Sequence, residues 1–547
     1  MARPQKLFAA GLILLTGLNL ALYAPLFFPE ERPYAGSISA GYAGITRFIA
    51  EHPNPWGWNP QQYAGQPTQF TYPPLIPYSA AALSWLTGLD PAYAYRLLTS
   101  TLACLGPATL ALALFVFTRH LWLTPEYISI TLFNWPQDAY GFRPSQQLWV
   151  WQAAIVALLL LTAFLLRRWQ APTAVRFPTL ATLAFLAIAG GFYLYNVDLI
   201  PESRRYVLEF ELFLFLALGA WLSVAWRSSV GIDRVCALLL CLFLLGSAVP
   251  QLGKTAKRRW SDWALQPTHE TLEYRLAEWL AQAKPSGRVF VTGALRFRLN
   301  SWFPLHQVSG AFESGLRNRI AVDYFYQIRT DADSKPGETV LDARRQLTAI
   351  GAQYAVVHDA GSAEYYRDIK TPAKFNELGQ EVFALTPHDR IYRLPFRSYA
   401  HLVQSAEFPK DRYKEALDPF YQALIDPARP TLAVREHHPG HWQISGPVLP
   451  GHHISFAMNW DPGWRAAQDG REIPLRRTQT GLIALEANPA PQTSIHLTYH
   501  GLTQQRWFAA LSLLAWIVSI GLCIRARRSP GNTSTSSSSA AASTAPA

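Results

Sequence analysis

The sequence predicts an α-helical membrane protein of about eight spans that carries an extracytoplasmic α/β plus β-sandwich domain. Three observations predict it. Half of the 547 residues are apolar and only 16% are charged. The apolar residues gather in blocks close to the roughly 20 residues that a helix needs to cross a bilayer. A long polar block toward the C-terminus changes its hydrophobic period from helical to alternating. These counts, with 19 tryptophans, exclude a disordered chain, a collagen-like repeat and a small disulfide scaffold.

Apolar segments fall at 7–28, 73–89, 92–118, 148–166, 178–195, 207–226, 234–250 and 507–524. The first follows Arg3 and Lys6, as a signal peptide would. Its apolar run is too long for one and no small-residue cleavage site follows, so it reads as a retained anchor. With eight spans, Arg3, Lys6, Arg167, Arg168, Arg176, Arg227, Arg234, Arg525, Arg527 and Arg528 share one side, which the positive-inside rule makes cytoplasmic. Lys254, Lys257, Arg258 and Arg259 fall on the other side, ahead of a long translocated domain of the kind that largely ignores the rule. The reading is therefore an inner (plasma) membrane protein with both termini cytoplasmic. Basic residues beside spans also account for much of the formal +11 charge, which removes nucleic acid as a partner. Cys104, Cys236, Cys241 and Cys523 all lie in apolar segments, outside any zinc or disulfide framework.

The chain divides into a membrane domain at 1–252 of about seven spans, an α/β region at 253–399, a β-sandwich at 400–505, a final span at 506–526 and a disordered Ser/Thr/Ala-rich tail at 527–547. Outer loops 29–72 and 119–147 are too long for simple turns. Their Pro53, Pro55, Trp56, Trp58, Pro60 and Tyr63, and Trp135, Pro136 and Tyr140, suit interfacial anchoring at headgroup depth. In the α/β region, Leu272, Leu276, Trp279 and Leu280 share a helix face ahead of the strand Val289 to Val291. Leu341, Leu347 and Ile350 repeat the form ahead of Tyr354 to Val357. Gly293 and Gly310 stand alone, so no phosphate loop is present. Strands at 454–457, 483–485 and 495–499, punctuated by Pro and Gly, mark the sandwich.

Chemistry-bearing residues are few. Glu30 and Glu31 in the first outer loop and Asp138 in the second are carboxylates able to act as a base. Asp198, Glu202, Arg204, Arg205, Glu209 and Glu211 cluster at the outer end of the sixth span. There, two arginines can grip a lipid phosphate while Arg205 and Glu209, four apart, can also pair on one helix face. His437, His438, His441, His452 and His453 crowd the sandwich, but adjacent strand residues point to opposite faces, so the spacing argues against a metal site.

The runs Trp58-Asn59-Pro60, Gly65-Gln66-Pro67 and Tyr72-Pro73-Pro74-Leu75 resemble polytopic bacterial proteins of the GT-C glycosyltransferase-like superfamily. Trp135-Pro136-Gln137-Asp138, Gly141-Phe142-Arg143-Pro144, and Pro201-Glu202 with Arg204, Arg205, Tyr206 and Glu209 resemble the branch labelled 6-pyruvoyl-tetrahydropterin synthase-related membrane protein. Trp460-Asp461-Pro462-Gly463-Trp464 with Asp469-Gly470 resembles the pre-membrane β-domain of YfhO-like proteins, although the same residues serve a plain turn and hairpin. The resemblance implies transfer of a sugar from a polyprenyl-phosphate donor to an envelope glycan or lipid acceptor. It implies Glu30 or Glu31 as base or metal ligand, Asp138 and Arg143 along the outer groove, and Arg204 and Arg205, with Glu202, on the donor phosphate. No cofactor is required, with room for a divalent metal, Mg or Mn. The alternative is a non-catalytic relative that serves as an assembly or glycan-binding factor, since Tyr34 to Gly44 holds no acid.

Overall fold

The computed structural model describes residues 37–68, 75–117, 146–197, 203–227, 266–311, 318–332 and 337–528, parts of 10–28 and 231–254, and residues 199, 313, 316, 334 and 335. The chain forms two units, Met1–Ser39 with Ile76–Thr271, and Ala40–Leu75 with Leu272–Ala547.

Among the described residues of the first unit, three helices are long and apolar enough to cross a membrane: Leu148–Arg168, Thr173–Tyr195 and Val207–Arg227. They are apolar all round rather than on one stripe, and a helix of that kind belongs in a protein core or in lipid. Here the large side chains point outward, with Leu160, Phe164, Leu194 and Phe215 each more than half exposed. That surface is the mark of membrane association. The second and third of these helices pack together, with Phe185 stacked on Phe213 at 5.4 Å and Trp221 Nε1 donating to Thr179 Oγ1 at 3.1 Å. Among the described residues, three of the eight expected segments thus have the length and composition to cross. Helix Leu75–Thr87 covers the described part of the expected segment at 73–89. In the second unit, helix Thr503–Arg528 contains the shorter apolar stretch Ala510–Leu522.

In the second unit most of helix Ser37–Glu51 precedes a short antiparallel pair, β1 (Trp58–Asn59) and β2 (Gln66–Pro67). An α/β layer follows, built on β3 (Arg288–Phe290), β4 (Ala352–His358), β5 (Gln380–Thr386) and β6 (Asp389–Arg393) in the order β3-β4-β6-β5, with β3 and β4 parallel. Strand alternation divides its core in two. Val289, Val291, Tyr354, Val356 and Ile391 meet helices Leu272–Ala283 and Leu295–Trp302. Phe290, Ala355, Val357 and Tyr392 meet Ile320–Thr330, Thr339–Ala349 and Phe375–Leu378 on the other face.

The remaining strands are β7 (Ala400–Gln404), β8 (Ala433–His438), β9 (His441–Val448), β10 (His452–Asn459), β11 (Trp464–Gln468), β12 (Arg471–Ile473), β13 (Leu475–Arg477), β14 (Leu482–Leu485) and β15 (Ala490–Tyr499). They form two antiparallel sheets, β13-β14-β10-β7 and β12-β11-β15-β9-β8. Leu402, Ile454, Phe456 and Ile483 from one sheet share a core with Trp442, Ile444, Trp464 and Leu497 from the other. Asp469 and Gly470, both at positive φ, turn β11 into β12, and Asp461 accepts the Gly463 N–H to shape the preceding turn. The Trp-rich motif is thus a turn and a hairpin.

Two aromatic residues of segment 29–72 depart from expectation. Instead of anchoring at a headgroup surface, Trp58 and Tyr63 are buried in the second unit, 1% and 2% exposed. The Trp58 ring lies 4.9 Å from both Trp464 and Tyr499, and the Trp58 indole donates to Met458 Sδ at 3.3 Å. Gly65, at φ +94°, is obligatory there, because a Cβ would stand 2.3 Å from the Trp58 indole nitrogen. Truncating this buried indole to alanine would cost about 3–5 kcal/mol.

Candidate functional site

The carboxyl end of a parallel strand is where α/β sheets place ligands, and here β4 ends in His358 and Asp359. The β5–β6 hairpin presents a second His-Asp dipeptide, His388 and Asp389, directly opposite. Register pairs His358 with Asp389, and the Asp359 N–H donates to the His388 carbonyl at 3.0 Å. The two dipeptides are therefore cross-linked reciprocally. His358 Nδ1 meets Asp389 Oδ1 at 2.8 Å, with both side chains 1% exposed. His388 Nδ1 meets Asp359 Oδ1 at 2.8 Å, with His388 half exposed.

The buried pair is structural. Asp389 also accepts from Ser362 Oγ and Thr386 Oγ1, each at 2.5 Å. Burial by itself raises the Asp389 carboxyl, but the bonds from His358, Ser362 and Thr386 outweigh it and hold the group below the ordinary range. Ser362 gives its proton to Asp389 and accepts the Glu364 N–H at 2.9 Å, so no serine–histidine relay is assembled. Behind it, Glu364 is 2% exposed and packs where Gly293 lacks a Cβ. Burial raises the Glu364 carboxyl, against the pull of His358 and of the Ala294 and Tyr366 backbone.

The exposed pair borders a cleft of about 850 Å³, lined also by Gly361, Arg367, Lys370, Asn376, Arg390 and Tyr392. Three cations and one carboxylate, Asp359, line it, and Arg390 Nε also lies 3.8 Å from Glu381 Oε2. Two of the cations are oriented by backbone carbonyls: Arg367 Nη1 donates to Ala360 O at 3.2 Å and Arg390 Nε to Pro387 O at 2.9 Å. Gly361 lets the loop close over the imidazole, and its N–H donates to Asp359 Oδ1 at 2.8 Å. With Asp359 fixing one ring nitrogen, His388 can offer the other to an incoming hydroxyl. The arrangement suits a ligand that carries both hydroxyls and an anionic group.

Of the residues singled out in sequence, Glu30, Glu31, Asp138, Arg143 and Glu202 lie outside the described residues. Arg204 and Arg205 fall on the 3-10 turn Ser203–Tyr206, directly ahead of helix Val207–Arg227. The cleft was missed, although the repeated His-Asp dipeptide, each copy at the end of an apolar alternation, was a legible signal. Among the described residues no three His, Cys, Asp or Glu side chains already stand as ligands around one point. No family model matches this chain, and no curated protein matches it.

Proposed function

We propose that this chain is a GT-C-like membrane glycosyltransferase that moves a sugar from a polyprenyl-phosphate donor to an acidic extracytoplasmic envelope acceptor. The observation that supports it most is the cationic cleft at the end of β4, where Arg367, Lys370 and Arg390 suit an anionic glycan. In this reading the cleft holds the acceptor. Arg204 and Arg205, on the turn that leads into an apolar helix, hold the donor phosphate at headgroup level, with Glu202 beside them. Glu30 or Glu31 is the base or the ligand of a Mg or Mn ion, and Asp138 and Arg143 line the groove. The chain takes about eight spans in the inner membrane, with both termini cytoplasmic.

A second reading keeps the cleft and drops the transfer step, making the protein a glycan-binding or assembly factor. The observation that favours it is the described lining itself, Arg367, Lys370, Arg390 and the His388–Asp359 pair, which suits holding a glycan. The test is mass spectrometry of envelope glycans and lipid-linked sugars from a deletion strain complemented with wild type, Glu30→Gln/Glu31→Gln, or Arg367→Ala/Arg390→Ala. Loss of one sugar restored only by wild type supports transfer. Restoration by the glutamine variant but not by the arginine variant supports the binding factor, and restoration by both variants sinks the cleft as the working site.

A further inference from the structure

We propose that His437, His441 and His496 form a binding site for a transition-metal ion of the zinc class on the outer face of the five-stranded sheet. These residues come from three adjacent strands, β8, β9 and β15. His441 Nε2 lies 3.2 Å from His496 Nδ1. The His437 ring centre is 5.0 Å from that of His441 and 6.4 Å from that of His496, and His441 and His496 are 5.5 Å apart. Two imidazole nitrogens bound at about 2.0–2.1 Å to one tetrahedral ion stand about 3.3 Å apart, with ring centres about 5 Å apart. His441 and His496 already have that bite.

The alternation of a regular strand would have sent His437 and His438 to opposite faces. A bulge between Glu436 and His438 removes the alternation, and both rings end about 5 Å from His441. The supporting bonds are also in place. Gln443 Oε1 meets His437 Nε2 at 3.1 Å, Gln443 Nε2 donates to Ser494 Oγ at 2.8 Å, and Ser494 Oγ lies 3.4 Å from His496 Nε2. His496 thus has Nε2 beside a polar neighbour and Nδ1 turned toward His441, where an ion would sit, the usual outer-shell arrangement of a metal-binding histidine. As the rings stand, three donors do not yet converge on one point. Exposed His437 supplies the third by turning about its side-chain bonds, and His438 or water fills the fourth position. A donor set of imidazoles alone selects zinc, copper or nickel over magnesium or calcium.

The experiment is equilibrium dialysis of the detergent-solubilised full-length protein, purified without a polyhistidine tag and stripped with chelator, against Zn²⁺ alone. One zinc per chain should bind with a Kd of about 1 µM or tighter. His441→Ala should weaken it about 100-fold, while His452→Ala/His453→Ala, elsewhere on the sandwich, should not change it. Co²⁺ should give the absorption bands of a tetrahedral site in wild type and lose them in His496→Gln. Absence of saturable binding, or binding that His441→Ala and His496→Gln leave within about threefold, overturns the proposal and leaves the 3.2 Å contact as a hydrogen bond between the two rings.

Discussion

Asp389 and His358 face each other across β4 and β6 at 2.8 Å with neither side chain more than 1% exposed, so the sheet end that borders the cleft is closed by a buried charge-assisted bond. The neighbouring pair, Asp359 and His388, uses the same chemistry in the open. One dipeptide repeated at the end of β4 and at the turn into β6 yields a buried pair and an exposed pair beside the cleft.

Asp389→Asn should cost about 2–4 kcal/mol in chemical denaturation at neutral pH, since its amide would face a donor from His358, Ser362 or Thr386. The sign with pH follows from the lowered carboxyl. Its contribution is present above the unfolded value of about 3.9 and is lost as pH falls through the still lower folded one. The difference between wild type and variant should therefore persist down to mildly acid solution and close only below it. A gap that closes near pH 6 would mean that another group titrates.

Gly361→Ala probes the outer pair. A Cβ at 361 would stand 2.5–2.7 Å from His388 ring atoms. The half-exposed ring can swing away, so stability should fall by less than about 1 kcal/mol while the 2.8 Å bond to Asp359 is lost. Histidine ring NMR signals should show His388 released, and affinity of the cleft for an acidic oligosaccharide should drop with it. Unchanged affinity with a displaced ring would separate His388 from binding.

Glu364→Gln should raise stability at pH 7 and above. The carboxyl is raised by burial, so the folded state pays for ionising it once pH exceeds the unfolded value of about 4.3. Below that value both proteins carry a neutral side chain and should unfold alike. A variant less stable than wild type at pH 8 would show that the charge is held by His358 rather than penalised by burial.

How far the sequence could be read depended on how local each signal was. The α/β alternation around Val289 to Val291 and Tyr354 to Val357, and the strands at 454–457, 483–485 and 495–499, lie in the structure where periodicity puts them. The Asp469-Gly470 hairpin was equally legible, because positive φ at both residues demands that chemistry. The position of Trp58 was not, since its partners Met458, Trp464 and Tyr499 lie some 400 residues away in the chain. The gathering of His437, His438 and His441 was hidden for a different reason, a single bulge that no residue type announces. The cleft needed strand register to bring two distant dipeptides together.

Asn459 is one of the residues that tie segment 58–68 to later parts of the chain, beside the Gln61–Gln307 and Tyr63–Ser309 backbone bonds, and its removal should show its share of that tie directly. Its amide donates to Tyr63 O at 2.7 Å and Gly65 O at 2.8 Å, its backbone N–H to Ala64 O at 2.9 Å, and its Oδ1 accepts from Asn318 Nδ2 at 2.8 Å. All of this is buried, with Asn459 4% exposed. Asn459→Ala leaves two carbonyls and one donor short of a partner, a loss of about 2–4 kcal/mol. Asn459→Asp, the same shape, should be worse at neutral pH, because a carboxylate oxygen would then face two carbonyl oxygens. Hydrogen exchange by mass spectrometry should report faster exchange in peptides covering 58–68 in both variants, with β3–β6 protected as in wild type. If 58–68 keeps its protection in Asn459→Asp, the burial of Trp58 and Tyr63 holds the segment without these hydrogen bonds.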